Sequence, residues 1–183
     1  TVGDHLGVIE FNTDASIVGS SNYLIQATTI NKASMITSIN NLSPGGTTNF
    51  YSAFEKAFDL IDESHSQEYT SNCHTAILFL TDGSMNTDIY SSSDVYNLIN
   101  TRNNKYNATI FTYSLGSSAS SVVPKEIACE TNGVWASIPD GDDLSDYMSA
   151  YSRLFALGLG ESSNEGFVAW VEPYSYETSG DYG

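Results

Sequence analysis

Two stretches of this chain place oxygen donors where an apolar pattern meets a turn. In CHTAILFLTDGS, residues 73–84, an apolar run leads into Thr81, Asp82 and Gly83. In LSPGGTTNFYSAFEKAF, residues 42–58, a glycine-rich turn delivers Thr47, Thr48 and Asn49 to the start of a helical pattern. Carboxylate and hydroxyl oxygens are hard ligands of the kind that hold Mg²⁺ or Ca²⁺. Each stretch also has a simpler reading. Asp before Gly is ordinary turn chemistry, and Thr48 at a helix start is a good N-cap, its hydroxyl accepting an amide hydrogen bond. A helix N-terminus alone favours anions, so carboxylate and cation would have to be balanced together there. The occurrence of both stretches, each after the right kind of element, singles out Thr48 and Asp82 as metal-ligand candidates.

Nothing comparable points to catalysis. The chain has no Gly-x-Ser-x-Gly elbow, and SPGGTTNF lacks the Lys of a phosphate-binding loop. His5, His65 and His74 are scattered, with His65 expected in a solvated ESHSQEY loop and His74 at the entry of a strand, away from Asp82. The expectation is therefore a non-enzymatic protein. Six basic residues against 22 acidic ones give a net charge of −16, which leaves nothing to neutralise phosphates and argues against nucleic acid. The acidic stretch DGDDLSD, residues 140–146, reads as a helix cap rather than an EF-hand loop, because its Gly and terminal Glu are misplaced.

No apolar run reaches the 18 residues that a membrane-spanning helix needs, and no signal peptide is present. The chain opens at Thr1, already close to a strand, so a fragment of a longer protein is expected, with any membrane association supplied by parts outside it. Cys73 and Cys129 are too few for a disulfide framework. Each is a candidate free thiol or half of a pair, and Cys129, on an expected helix, is read as buried. Asn41 in NLS and Asn107 in NAT are N-glycosylation acceptors if the protein is secreted.

The elements that must position Thr48 and Asp82 follow from periodicity. LGVIEFN (6–12), TAILFLT (75–81), ATIFTYSLG (108–116) and GVWASI (133–138) read as strands. ASIVG (15–19) follows the turn NTD and predicts a hairpin. Helical spacing marks residues 28–40, 50–62, 92–104 (opened by the capping sequence SSSD) and 143–156. Alternating apolar strands and helices predict an α/β fold, a mostly parallel, doubly wound, Rossmann-like sheet with helices on both faces, and Asp82 at the end of a central strand. In such sheets ligands bind at the carboxyl ends of the strands. Residues 158–183, rich in Gly, Ser and acids around GFVAWVEPY, break the pattern.

GGTTNFYSAFEKAF followed by AILFLTDG resembles a von Willebrand factor type A domain. The resemblance implies a metal-ion-dependent adhesion site in which Thr48 and Asp82 are ligands of Mg²⁺ or Ca²⁺. The family's Asp-x-Ser-x-Ser motif, at the end of its first strand, is absent. GDHLGVIEFNTDA is similar to the segment that follows the family's first helix, so the domain is expected over residues 1–157, lacking its N-terminal strand and first helix. SNCHTAILFLTDG, IACETNGVWASIP, YMSAYSRLFALGL and VAWVEPY, in that order, resemble the type A region of the alpha-2-delta auxiliary subunits of voltage-gated calcium channels. That likeness implies an extracellular or cell-surface glycoprotein, a disulfide from Cys73 to a distant part of the chain, and residues 158–183 as a linker or the start of a Cache-like domain. The implied function is metal-dependent binding of a protein partner, such as a channel subunit, matrix or assembly protein. The alternative is a structural type A component of a large extracellular or ciliary assembly with a vestigial metal site.

Overall fold

The computed structural model describes residues 3–70 and 74–149. The elements run β1 (His5–Leu6), β2 (Ile9–Phe11), β3 (Ala15–Ile17), β4 (Ile25–Gln26), α1 (Thr29–Asn40), α2 (Phe50–Ser66), β5 (Ala76–Thr81), α3 (Ser92–Asn103), β6 (Thr109–Leu115), α4 (Val122–Glu130) and β7 (Trp135–Ile138). A helical segment follows over residues 144–149. Cys73 and the expected boundary at residue 157, with segment 158–183 beyond it, lie outside the described residues.

β5, β6 and β7 form a parallel sheet in that order. Side chains alternate across it, so the register Ile77↔Ile110, Leu78↔Phe111, Phe79↔Thr112 fixes two faces. The odd-numbered β5 residues Ile77 and Phe79 join Ile110 against α2, α3 and Ile127 of α4. On the other face Phe111, Tyr113 and Ile138 meet Leu144, Tyr147 and Met148 of the last helical segment. Helices thus cover both faces, as the alternation of elements requires.

α2 carries the main apolar stripe. Phe50, Ala53, Phe54, Phe58 and Ile61 are all buried, at the three- and four-residue spacing of one helix face. It extends to Ser66, which puts His65 in its last turn rather than in a loop. There the imidazole sits half-buried with its ring 4.7 Å from that of Tyr106. α3 begins with the expected cap, a reciprocal Ser91–Asp94 capping box. Asp143 accepts from the Ser145 amide at 2.8 Å, so DGDDLSD does cap a helix.

Four further expectations need correction. LGVIEFN is not one buried strand but two short ones, β1 and β2, separated at Gly7. β1 pairs antiparallel with β4, and β2 with β3 as the expected hairpin. β5 is not central among the described residues but lies at the edge of its sheet. α1 forms where expected, but Ile30 and Ile36 are 81% and 58% exposed and Met35 is its buried residue. Steps of three drift by about 60° each in a helix of 3.6 residues per turn, so Ile30, Ala33, Ile36 and Ile39 wind around α1 instead of forming a face. Cys129 is exposed. Pro124, Ile127 and Ala128 take the inward positions of α4, and the next residue turns outward.

The turn between α4 and β7 explains one glycine. Asn132 adopts a left-handed φ of 56°, a conformation Asn tolerates better than most residues. A Cβ on Gly133 would fall 1.9 Å from the Ile110 carbonyl oxygen. Gly133→Ala is expected to destabilise the fold by roughly 3 kcal/mol, because a backbone atom of β6 cannot move aside. A denaturant midpoint equal to that of the unsubstituted protein would contradict this packing.

α2 and α3 are also joined by charge. Asp62 accepts from Lys105 Nζ at 2.8 Å and Arg102 Nη2 at 2.7 Å, and from the Tyr106 hydroxyl. Arg102 also reaches Asp59 at 2.9 Å. The hydrogen bonds from Lys105, then Tyr106, lower the Asp62 carboxyl from 3.8 to about 2. A depressed folded-state pKa adds stability that is complete above the unfolded value and is lost as pH falls through the folded one. The side chain is 38% exposed, so solvent screening holds the effect to about 1 kcal/mol or less. Asp62→Asn is therefore expected to lower the urea midpoint slightly at neutral pH. The gap from the unsubstituted protein should narrow between pH 3.8 and about 2, and a gap constant over that window would refute the pairing.

Candidate functional site

The carboxyl ends of β2 and β5 meet at one edge of the molecule, held there by the start of α2. Asn49, not Thr48, is the N-cap of α2. Its Oδ1 accepts from the Ser52 amide at 3.1 Å, its Nδ2 donates to the Thr13 carbonyl at 3.0 Å, and its amide donates to the Asn12 carbonyl at 2.8 Å. Thr47 is also committed: its amide and hydroxyl both lie 3.3 Å from the Thr13 hydroxyl. The loop 45–49 is therefore sewn to the β2–β3 turn through Asn12 and Thr13. Sequence reasoning assigned neither residue to the site. The NTD turn signal located the hairpin but carried no sign of which loop it would meet.

Thr48 is left over. Its carbonyl accepts from the Asn86 amide at 2.8 Å, while its hydroxyl makes no hydrogen bond among the described residues. That hydroxyl lies against the loop after β5, where a Cβ on Gly83 would fall 2.8 Å from Thr48 Oγ1. Asp82, the neighbour of Gly83, is exposed and its carboxylate is likewise uncommitted among the described residues. The loop itself is fixed from several sides. The Gly83 amide donates to Thr81 Oγ1 at 3.3 Å, the Gly83 carbonyl accepts from the Ser120 amide at 3.2 Å, and Tyr90 stacks on Tyr51 with ring centroids 3.9 Å apart.

The structure thus brings Thr48 and the loop that carries Asp82 together. No cluster of three or more His, Cys, Asp or Glu with metal-holding geometry occurs among the described residues. The two oxygen donors suit a hard divalent cation in kind, and fall short of its six or more ligands in number. His74 precedes β5, at the end opposite Asp82, and takes no part. Asn41 is the exposed C-cap residue of α1. Asn107 is exposed just before β6 with φ 48°, a left-handed turn position that by itself favours Asn.

The model of the von Willebrand factor type A domain matches residues 1–150. The chain belongs to the von Willebrand factor type A domain family. The human voltage-dependent calcium channel subunit alpha-2/delta-2 is 27% identical over 176 residues, an alignment covering 93% of this chain and 14% of that protein. The chain thus spans about one-seventh of the curated relatives it matches. Among solved structures, a von Willebrand factor type A protein from Catenulispora acidiphila superposes with a TM-score of 0.68 at 17% identity, covering 87% of this chain and 35% of that one. Proximal thread matrix protein 1 from the mussel byssus gives 0.56 at 19% identity, covering 82% and 34%. At these identities the structural likeness concerns the fold. No helix among the described residues of this type A domain is long and apolar enough to cross a membrane.

Asn49 holds both the start of α2 and the β2–β3 turn, so Asn49→Ala is expected to cost about 1 kcal/mol for the lost cap. It should also loosen the Asn12–Thr13 loop, read as faster amide exchange at residues 12–14. Unchanged exchange there would show that the cap and the loop tie are independent.

Proposed function

We propose that this type A domain is a non-enzymatic, extracellular binding module that engages a protein partner through a divalent cation, Mg²⁺ or Ca²⁺, at the Thr48–Asp82 edge. The observation that carries the reading is the pair of uncommitted oxygens. Thr47 is held by Thr13 and Thr81 by Gly83, whereas among the described residues nothing occupies the Thr48 hydroxyl or the Asp82 carboxylate. Two protein ligands leave several coordination positions to be filled, by further polypeptide, by water, or by a carboxylate of the partner. A cation with an exchangeable position links two carboxylate-bearing surfaces without any bond being made or broken. It also lets a domain of strongly negative charge approach an acidic side chain.

Family membership and the likeness to a calcium channel subunit support a protein partner, and make a channel subunit, matrix protein or assembly protein the classes to test. In a secretory setting Asn41 and Asn107 would carry glycans, for which their exposure is a precondition, and Cys73 would enter a disulfide. A purely architectural type A module is the second reading, favoured by the lack of a fuller ligand cluster among the described residues.

Manganese(II) tests the site directly, since a paramagnetic ion broadens nearby amide resonances even when it binds weakly. Broadening centred on Thr48, Gly83 and Asn86 is expected, with His74 unaffected. Asp82→Asn is expected to weaken it at least about tenfold, the equivalent of roughly 1.4 kcal/mol. Broadening confined to the acidic stretch 140–146, or insensitive to Asp82→Asn, would overturn the metal-dependent reading and leave the architectural one.

A further inference from the structure

At the carboxyl-terminal end of α2, opposite the Thr48 loop, the helix meets the loop between β3 and β4 around a hollow of about 550 Å³. The contact is held by a buried hydroxyl. Ser64 Oγ accepts from the Leu24 amide at 2.7 Å and donates to the Leu60 carbonyl at 2.6 Å. One residue before Leu24, Tyr23 stacks on Tyr69, with ring centroids 4.0 Å apart and the planes inclined by 13°. Neither ring is loosely placed. The Ser21 hydroxyl accepts from the Tyr23 amide at 3.3 Å and donates to the Tyr23 carbonyl at 2.9 Å. Glu68 takes a left-handed φ of 60°, and the Tyr69 amide then donates back to the Ser64 carbonyl at 2.8 Å. The lining of the hollow thus sets Tyr23 beside Asn22, Glu63 and Gln67.

The charge of this hollow suits a cation. The carbonyls at a helix C-terminus carry partial negative charge, and Glu63 adds a carboxylate. Its Oε1 accepts from Gln67 Nε2 at 3.3 Å, and it makes no ion pair among the described residues. Neither the Asn22 side chain nor the Tyr23 hydroxyl makes a hydrogen bond among the described residues. No described Lys or Arg lines the hollow, while Arg102 and Lys105 are held at Asp59 and Asp62. A metal ion is a poor match, because one carboxylate and two amide oxygens fall short of its six or more ligands. An organic cation matches the aromatic wall, since a ring face attracts positive charge. Guanidinium is flat, delocalised and weakly hydrated, so it can lie against a tyrosine while its forked N–H groups meet a carboxylate. Ammonium is a compact, strongly hydrated point charge that gains less from such a wall. The net charge of −16 draws a cationic group toward the domain.

We infer that the hollow between the β3–β4 loop and the end of α2 receives one arginine side chain of a partner polypeptide. The guanidinium lies on the Tyr23 ring and pairs with Glu63, with Asn22 and Gln67 as further acceptors. Tyr69, stacked on Tyr23, holds that ring in place before the partner arrives, so little order is lost on binding. The contact sits at the far end of α2 from Thr48 and Asp82 and requires no metal. It therefore stands or falls separately from the proposed divalent-cation site.

The blocked peptide acetyl-glycyl-arginyl-glycine amide, titrated into the full chain in metal-free buffer and followed by NMR, tests this. Saturable shifts centred on the amides of Tyr23, Glu63 and Gln67 are expected, with Thr48 and Gly83 unmoved. Glu63→Gln keeps the shape of an exposed side chain and removes its charge, and is expected to weaken binding about fivefold, as for a well-formed exposed ion pair. The same peptide with citrulline in place of arginine stays planar but neutral. It should bind at least about tenfold more weakly, because the ion pair and the attraction to the ring are both lost. A lysine peptide should fall between the two. Four results would overturn the proposal. They are no saturable shifts at those three amides with millimolar peptide, citrulline binding as tightly as arginine, lysine binding as tightly as arginine, or shifts that persist in Glu63→Gln and spread over the acidic stretch 140–146. The last two would reduce the contact to diffuse attraction by a negative domain.

Discussion

The ring cluster around Phe79 is the contact on which the rest of the structure depends. Phe50 meets it edge-on at 4.9 Å, and Phe54 and Phe11 stack on it at 4.8 and 5.2 Å. These four residues come from three separate elements, α2, β5 and the β2–β3 hairpin. Large aromatic surfaces with matched ring geometry contribute beyond their buried area. The cluster sits one turn below the Thr48 loop and two residues before Thr81. Anchoring the rings therefore also anchors the donors, and the position of Asp82 relative to Thr48 is a consequence of core packing.

Above that core the polar loops divide their labour. Asn12, Thr13, Thr47 and Asn49 satisfy one another, which ties the loop before α2 to the hairpin turn. The Thr48 carbonyl serves the same purpose by accepting from the Asn86 amide, while its hydroxyl stays uncommitted among the described residues. A binding edge built this way is rigid where the chain must be held and uncommitted where a ligand must enter.

The sequence by itself determined the order and kind of the larger elements, though not the short strand β4 or the break at Gly7. The phenylalanine spacing of α2, the apolar runs of β5 and β6, the capping box of α3 and the NTD hairpin are local signals, each decided by periodicity or by side chains a few residues apart. It also determined the family, and which of the chain's oxygens to examine. Other features were not legible. Asn49 displaced Thr48 as the cap because the hairpin turn, 36 residues earlier, supplied Asn49 with a second partner. Gly133 could be seen as a turn residue, but not as the point where the chain passes against the Ile110 carbonyl. Burial misled at α1 and Cys129, since helical spacing tells which residues share a face and not whether anything covers it. Tertiary structure decided these because backbone pairing and burial belong to the space between elements, on which the residues of any single element carry no information.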